Sequence, residues 1–293
     1  MRLLAALLLL LQPIITVHTE LVVVPVVVTD SHGHRVSGLD ENSFHVYEDG
    51  RLRPTAIFRR GEAPITLGLI VDRSQSMRPK AAALLTAISA VLDTIRQEDE
   101  LFGVDFNDRV WFELGDDQPF THDPAAIRAP LTAARSEGRT ALYDGVAAGL
   151  RQLRAGHGAR RALLVISDGA DNASRTTYAD VLALARQSDG VIYAIGLLGV
   201  SGEDEEDAGA LKRICRETGG VAYFPQTAEE IATASAQVAA DLREQYTLAF
   251  VPGDRAGARA FRKIAVAVTA TGRGRLRART RSGYLAPPEG GKP

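Results

Sequence analysis

The sequence predicts an α/β protein: a doubly wound sheet with helices on both faces, joined by a small flanking β subdomain drawn from both ends of the chain. Three observations predict it. Between residues 64 and 245, apolar strand-length runs alternate with helix-length amphipathic segments, the pattern of parallel βαβ units. Several of these runs, Ile65 to Val71 among them, are apolar along nearly their whole length, as strands covered by helices on each side require. The stretches 20–63 and 246–286 have another texture, with short β-rich runs broken by Gly- and Asp-containing turns.

Met1-Arg2 followed by Leu3 to Leu11, with only two alanines among the leucines, has the basic start and short apolar core of a secretory signal, assigned to residues 1–19. Val17-His18-Thr19 departs from the small-x-small cleavage pattern, so a leader retained as an anchor through residues 3–17 is the alternative. That run falls short of the roughly 20 apolar residues of a membrane-spanning helix. An exported protein, periplasmic or secreted, is the expectation.

In the N-terminal flank, Leu21 to Thr29, the turn Asp30-Ser-His-Gly33, and Phe44 to Glu48 closed by Asp49-Gly50 predict antiparallel hairpins. The central strands are expected at Ile65 to Val71, Leu101 to Phe106, Val110 to Leu114, Arg161 to Ser167, Val191 to Leu197 and Val221 to Phe224. Pro79 opens a helix whose Leu84, Leu85, Ile88, Val91, Leu92 and Ile95 share one stripe. Further helices are expected over Ala141 to Arg154, Tyr178 to Gln187, Ala208 to Thr218 and Ala228 to Arg243. Strand texture returns at Tyr246 to Val251, Phe261 to Thr269 and Leu276 to Thr280, predicted to pack with residues 20–63, and 287–293 form a loose tail.

With 293 residues, 45% of them apolar, the chain can bury a substantial core. A formal charge of -2 gives no general attraction to nucleic acid, so the partner must be read from a local site. Cys215 is the single cysteine; it forms no intramolecular disulfide, and its helical spacing from Leu211 makes it a buried apolar residue.

The chemistry concentrates at the carboxyl ends of the expected strands. Val71-Asp72-Arg73-Ser74-Gln75-Ser76-Met77 sets Asp72, Ser74 and Ser76 at alternate positions of a strand-to-helix loop. A second strand runs into Asp168-Gly169, and Gly138-Arg139-Thr140 adds a hydroxyl. Open α/β sheets bind ligands in the crevice beyond these strand ends. An all-oxygen set suits a hard cation such as Mg²⁺. With neutral hydroxyls as ligands and the carboxylates acting partly through water, such an ion keeps positive charge and an open position for an incoming carboxylate. The competing explanation is a helix-capping loop. Asp144, four residues after Thr140, reads as a supporting or capping partner, and Asp171 and Asn172 as turn residues.

These residues resemble the metal-ion-dependent adhesion site of von Willebrand factor A domains, in which a D-x-S-x-S loop, a threonine and a later aspartate surround Mg²⁺ or Mn²⁺. The resemblance implies a Rossmann-like fold. It implies that Ser74, Ser76 and Thr140 ligate the ion directly, while Asp72 and Asp168 act directly or through water, with Ca²⁺ a further candidate ion. It also implies metal-dependent adhesion to a protein presenting Asp or Glu. The chain looks in particular like bacterial members with β-rich flanks, through Val26-Val-Val-Thr-Asp30, Val46-Tyr-Glu-Asp-Gly50, Thr140-Ala-Leu-Tyr-Asp144 and Arg281-Ser-Gly-Tyr284. Gln75 departs from the glycine that family members often carry between the serines, which bears on loop shape rather than on the ligating oxygens.

Other features read as structural. Glu203 to Asp207 complements the dipole of the helix expected after it. Arg273, Arg275, Arg277, Arg279 and Arg281 alternate as on one strand face, expected to be solvent-facing with acidic cross-strand neighbours, an anionic surface being the alternative. His32 and His34 have too few partners for zinc. No enzyme is expected. A metal-assisted hydrolase would need a general base, and no histidine or lysine stands in these motifs; a silent metal loop on a structural module is the third reading.

Overall fold

The computed structural model describes residues 21–115, 117–169, 171–197, 204–253 and 261–286. The leader at 1–19, an anchor at 3–17, Glu203 and the tail at 287–293 lie outside the described residues. The chain opens with four strands, β1 (Val22–Thr29), β2 (Phe44–Glu48), β3 (Arg51–Arg53) and β4 (Thr55–Arg59). The alternating part follows: β5 (Ile65–Asp72), α1 (Ala81–Leu92), β6 (Glu100–Phe106), β7 (Val110–Phe112), α2 (Pro124–Ala133) and α3 (Leu142–Leu153). Then come β8 (Arg160–Ser167), α4 (Tyr178–Gln187), β9 (Val191–Gly196), α5 (Asp204–Thr218), β10 (Ala222–Tyr223) and α6 (Ala228–Glu244). It closes with β11 (Tyr246–Phe250), β12 (Phe261–Val268), β13 (Arg277–Thr280) and β14 (Gly283–Leu285).

The central sheet has the order β10-β9-β8-β5-β6-β7. Its strands pair in parallel except β7, a short edge strand antiparallel to β6. Winding starts at β5 and runs outward in both directions, so the crevice between the carboxyl ends of β5 and β8 is a topological switch point. Every residue of β5 and β6 is buried. One face of the sheet packs Leu69, Val71, Leu164 and Ile166 under Leu84 and Ile88 of α1 and Val238 of α6. The other packs Ile70, Val104 and Val165 under Val146 and Leu150 of α3, Val181 of α4 and Leu211 of α5.

Two four-stranded antiparallel sheets flank this layer, β13-β1-β11-β4 and β14-β12-β2-β3. Both mix strands from the two ends of the chain, because β1 pairs with β11 and β13 while β2 pairs with β12. They share a core of Val24, Val26, Phe44, Val46, Leu248, Phe250 and Ile264. The sandwich is fastened to the α/β layer by charge. Asp241 of α6 accepts from Arg35 Nε at 2.7 Å and from Arg279. Arg160 donates to the carbonyls of Leu242, Arg243 and Gln245 at 2.7–2.8 Å and to that of Gly61. At this seam Gly219, with φ +87°, lies so close to the backbone of Thr280 and Arg281 that a Cβ would sit 2.7 Å from the Thr280 carbonyl carbon.

Several expectations change. Asp49-Gly50 closes the hairpin β2–β3, with both residues at positive φ, whereas the turn at Asp30 to Gly33 closes only a single antiparallel bridge, Thr29 to Arg35, after β1. β1 finds its partners more than 200 residues away, which no local turn signal announces. Pro79 lies inside a 3₁₀ turn over Gln75–Lys80 and α1 starts after it, at Ala81. Leu85 is exposed, and Ile95 lies beyond the end of α1. α5 starts at Asp204, so the acidic residues from 204 to 207 lie within its first turns rather than before it. The arginine alternation faces solvent only in part: Arg273, Arg275 and Arg277 are exposed, but no acid stands across from β13, and Arg279 and Arg281 turn inward. Arg277 and Arg279 pair across from Thr29 and Val27, Arg279 reaches Asp241, and Arg281 is buried, donating to the carbonyls of Gly283 and Arg186. Cys215 is buried and free, and burial pushes its thiol up.

Candidate functional site

The last residue of β5 is Asp72, fully buried, and both its oxygens are occupied. Oδ1 accepts from the Ser74 N–H at 2.8 Å, a local turn that aspartate readily makes. Oδ2 accepts from Ser167 Oγ at 2.6 Å, which ties the end of β5 to the end of β8. Burial pushes the Asp72 carboxyl up to about 6; the hydrogen bonds from Ser167 and Ser74 pull it down, and the charge of Asp168 adds to the rise. Beyond Asp72 the chain turns so that Ser74 Oγ and Ser76 Oγ lie 3.0 Å apart, Ser74 buried and Ser76 exposed at the lip.

The threonine loop is stitched to this turn through the backbone. Gln75 N–H donates to the Gly138 carbonyl at 3.0 Å, and Glu137 N–H to the Arg73 carbonyl at 2.7 Å. Thr140 is buried beside them. Its N–H donates to Asn172 Oδ1 at 2.9 Å, and its carbonyl accepts from the N–H groups of Asn172 and Ala173 at 2.9 and 3.0 Å. Asp144 supports that loop in turn, accepting from the Arg175 and Thr176 N–H groups at 3.0 and 2.8 Å. Burial works to raise the Asp144 carboxyl, and the hydrogen bonds from Thr176 and Arg175 outweigh it, leaving it below its usual range. Asp144 and Thr140 are therefore connected through the 171–176 loop rather than by direct contact.

Asp168 follows directly on β8 and is also buried. Its Oδ2 accepts from Lys80 Nζ at 3.0 Å, while its Oδ1 is buried with no hydrogen-bond partner. The expectation that no lysine accompanies the site is thus corrected: the 3₁₀ turn after Ser74 swings Lys80 back over the crevice. Behind the loop, buried Arg73 donates from Nε to Asp105 Oδ2 at 2.8 Å and also reaches the Leu131 carbonyl, so the residue between Asp72 and Ser74 anchors the loop from below. Burial pushes the Asp105 carboxyl up to about 8; Arg73 opposes this and neighbouring Glu113 reinforces it.

The loops that carry Ser74 and Ser76, Thr140, and Asp168 thus meet beside Asp72 at the carboxyl ends of β5 and β8. Among the described residues no cluster of three His, Cys, Asp or Glu side chains is suited to a metal, so the hydroxyl-bearing set is the one to weigh. An all-oxygen set with two acids fits a hard divalent cation and not a soft one. The partnerless buried Asp168 oxygen fits it too, since such an atom costs free energy unless something positive faces it.

The family model of the von Willebrand factor type A domain matches residues 67–237. The chain belongs to that family. Among solved structures, the von Willebrand factor type A protein from Catenulispora acidiphila aligns with a TM-score of 0.51 at 13% identity, covering 83% of this chain and 75% of that one. An aerotolerance-related membrane protein from Bacteroides fragilis aligns with a TM-score of 0.47 at 17% identity, over 60% of this chain and 98% of its own. The von Willebrand factor domain of the type V pili tip protein Mfa5 from Porphyromonas gingivalis gives 0.46 and 12%, over 61% and 94%. No curated protein matches the chain. The von Willebrand factor A fold is a mostly parallel sheet flanked by helices, here with additional antiparallel sheets beside it.

Proposed function

We propose that this von Willebrand factor A protein is an exported, non-enzymatic binding protein whose site at the β5–β8 crevice holds Mg²⁺ or Mn²⁺ and uses it to capture an acidic side chain of a protein partner. The observation that carries the reading is the buried Asp168 Oδ1 without a partner, in the same crevice as the paired hydroxyls of Ser74 and Ser76. Ser74, Ser76 and Thr140 would hold the ion as neutral ligands, with Asp72 and Asp168 beside it. Bound there, the ion supplies positive charge and an open coordination position. The chain's own part is to keep the ligands in place: Ser167 and the Ser74 N–H fix Asp72, and Asn172 fixes the Thr140 backbone. A hydrolytic reading gains nothing from Lys80, whose ammonium donates to Asp168 and is not poised as a base.

Calorimetric titration of Mg²⁺ and Mn²⁺ into the protein and into a Ser74→Ala/Ser76→Ala variant tests this. Binding by the parent alone is expected. Equal binding by both, or by neither, would remove the metal from the account.

A further inference from the structure

We propose that Lys80 sets the charge of this site: it weakens the hold on the metal and strengthens the grip of the metal-loaded site on an acidic group. The inference rests on the reading of the crevice as a divalent-cation site. Its starting point is the division of labour on Asp168, where Oδ2 accepts from Lys80 Nζ at 3.0 Å and Oδ1 is buried without a partner. One oxygen is committed to a resident cation and the other is left for an incoming one, or for a water in its shell. Lys80 therefore does not have to leave when the metal arrives.

Lys80 is also held where its charge is felt. Its side chain is 20% exposed and its carboxylate partner 6%, so the pair is only partly screened by water. The residue closes the 3₁₀ turn Gln75–Lys80, directly after Pro79, whose ring fixes the local backbone. The other cations around the loops are spent on different groups: Arg73 on Asp105 and the Leu131 carbonyl, Arg78 on the Ser136 carbonyl, Arg139 on Asp108. Among the described residues Lys80 alone pairs with a carboxylate of the candidate ligand set.

The consequence follows from charge balance. Asp72 and Asp168 neutralise a divalent ion between them, and Lys80 then leaves one positive charge in surplus. That surplus repels the metal and attracts an anion to the open coordination position. Removing it moves the two affinities in opposite directions, an outcome that a packing role for Lys80 does not produce.

The test compares the parent with Lys80→Met and Lys80→Arg in two measurements. Calorimetry reads Mn²⁺ affinity, and water-proton relaxation of the Mn²⁺-loaded proteins during acetate titration reads displacement of coordinated water by a carboxylate. Lys80→Met is expected to bind Mn²⁺ about tenfold more tightly and acetate about threefold more weakly, with Lys80→Arg close to the parent in both. Thermal unfolding of each variant checks that the fold is kept. Affinities that both fall, both rise or both stay unchanged in Lys80→Met overturn the proposal; a joint rise would mean that Lys80 merely competes with the metal and departs. A parent that binds no Mn²⁺ overturns the cation-site reading itself, and the inference with it, before any variant is compared.

Discussion

At the seam between the β sandwich and α6, buried Asp241 has both oxygens taken by arginines, Arg35 on one and Arg279 on the other. At the β5–β8 crevice, buried Asp168 has one oxygen on Lys80 and the other on nothing. Both regions bury carboxylates beside cations, yet one closes its acid from within the chain and the other leaves it half met. A carboxylate satisfied at both oxygens holds two layers together. One left short is placed to interact with something from outside, at the cost of some stability locally. Two other buried acids differ by how far hydrogen bonds and cations offset their burial. Burial pushes Asp72 at the crevice up to about 6, whereas Asp99, below α6, lies under its usual range. For Asp99 burial works upward, and hydrogen bonds from Arg243 and from the Arg96 and Ile65 N–H groups outweigh it.

If the seam is structural, breaking it has the largest effect. Asp241→Ala leaves two arginines facing each other without their anion, and urea unfolding should show a loss of about 3 kcal/mol or more; a loss under about 1 kcal/mol would mean that the seam is ornamental. Gly219→Ala comes next, at about 2 kcal/mol, because φ +87° is strained for alanine and the Thr280 backbone leaves no room for its Cβ. At the crevice the effect should be small. Asp168→Asn in chelator-treated buffer is expected to change stability by less than about 1 kcal/mol, since it removes one partly exposed ion pair and a charge already short of partners. A loss matching that of Asp241→Ala would erase the contrast.

The smallest effect is in pH dependence. Asp99 has a depressed folded value, so its stabilising contribution is fully present above the ordinary 3.8 and is lost as pH falls through the folded value below that. Asp99→Asn should therefore be less stable than the parent at neutral pH and show a flatter acid limb below about pH 4 in urea unfolding at stepped pH. Parallel acid limbs would assign the parent's acid sensitivity to other carboxylates.

Much of this was legible in the sequence, for a physical reason. The central strands are buried on both faces, so Ile65–Asp72, Glu100–Phe106 and Arg160–Ser167 had to be nearly continuous apolar runs. Asp72, Ser74 and Ser76 stood out because they follow such a run at alternate positions. What escaped depends on distant or weak signals. α2, with two prolines and only Ile127 and Leu131 buried, carries too thin an apolar stripe to announce a helix. The partners of β1 lie at the other end of the chain, and the inward turn of Arg279 is set by Asp241, which no local pattern ties to it. At the site, Lys80 and Asn172 act through a 3₁₀ turn and a loop crossing, so only the fold brings Lys80 to Asp168 and Asn172 to Thr140. A lysine following the D-x-S-x-S loop by one helical turn is the signal that was available.

The central claim is that the crevice is left short of positive charge so that a divalent ion can complete it. Urea unfolding of the parent and of Ser74→Ala/Ser76→Ala, each with and without Mn²⁺, tests it most directly. With Mn²⁺ about a hundredfold above its Kd, the parent should gain about 2.7 kcal/mol and the double variant nothing. The same gain in both, or none in either, would contradict the account.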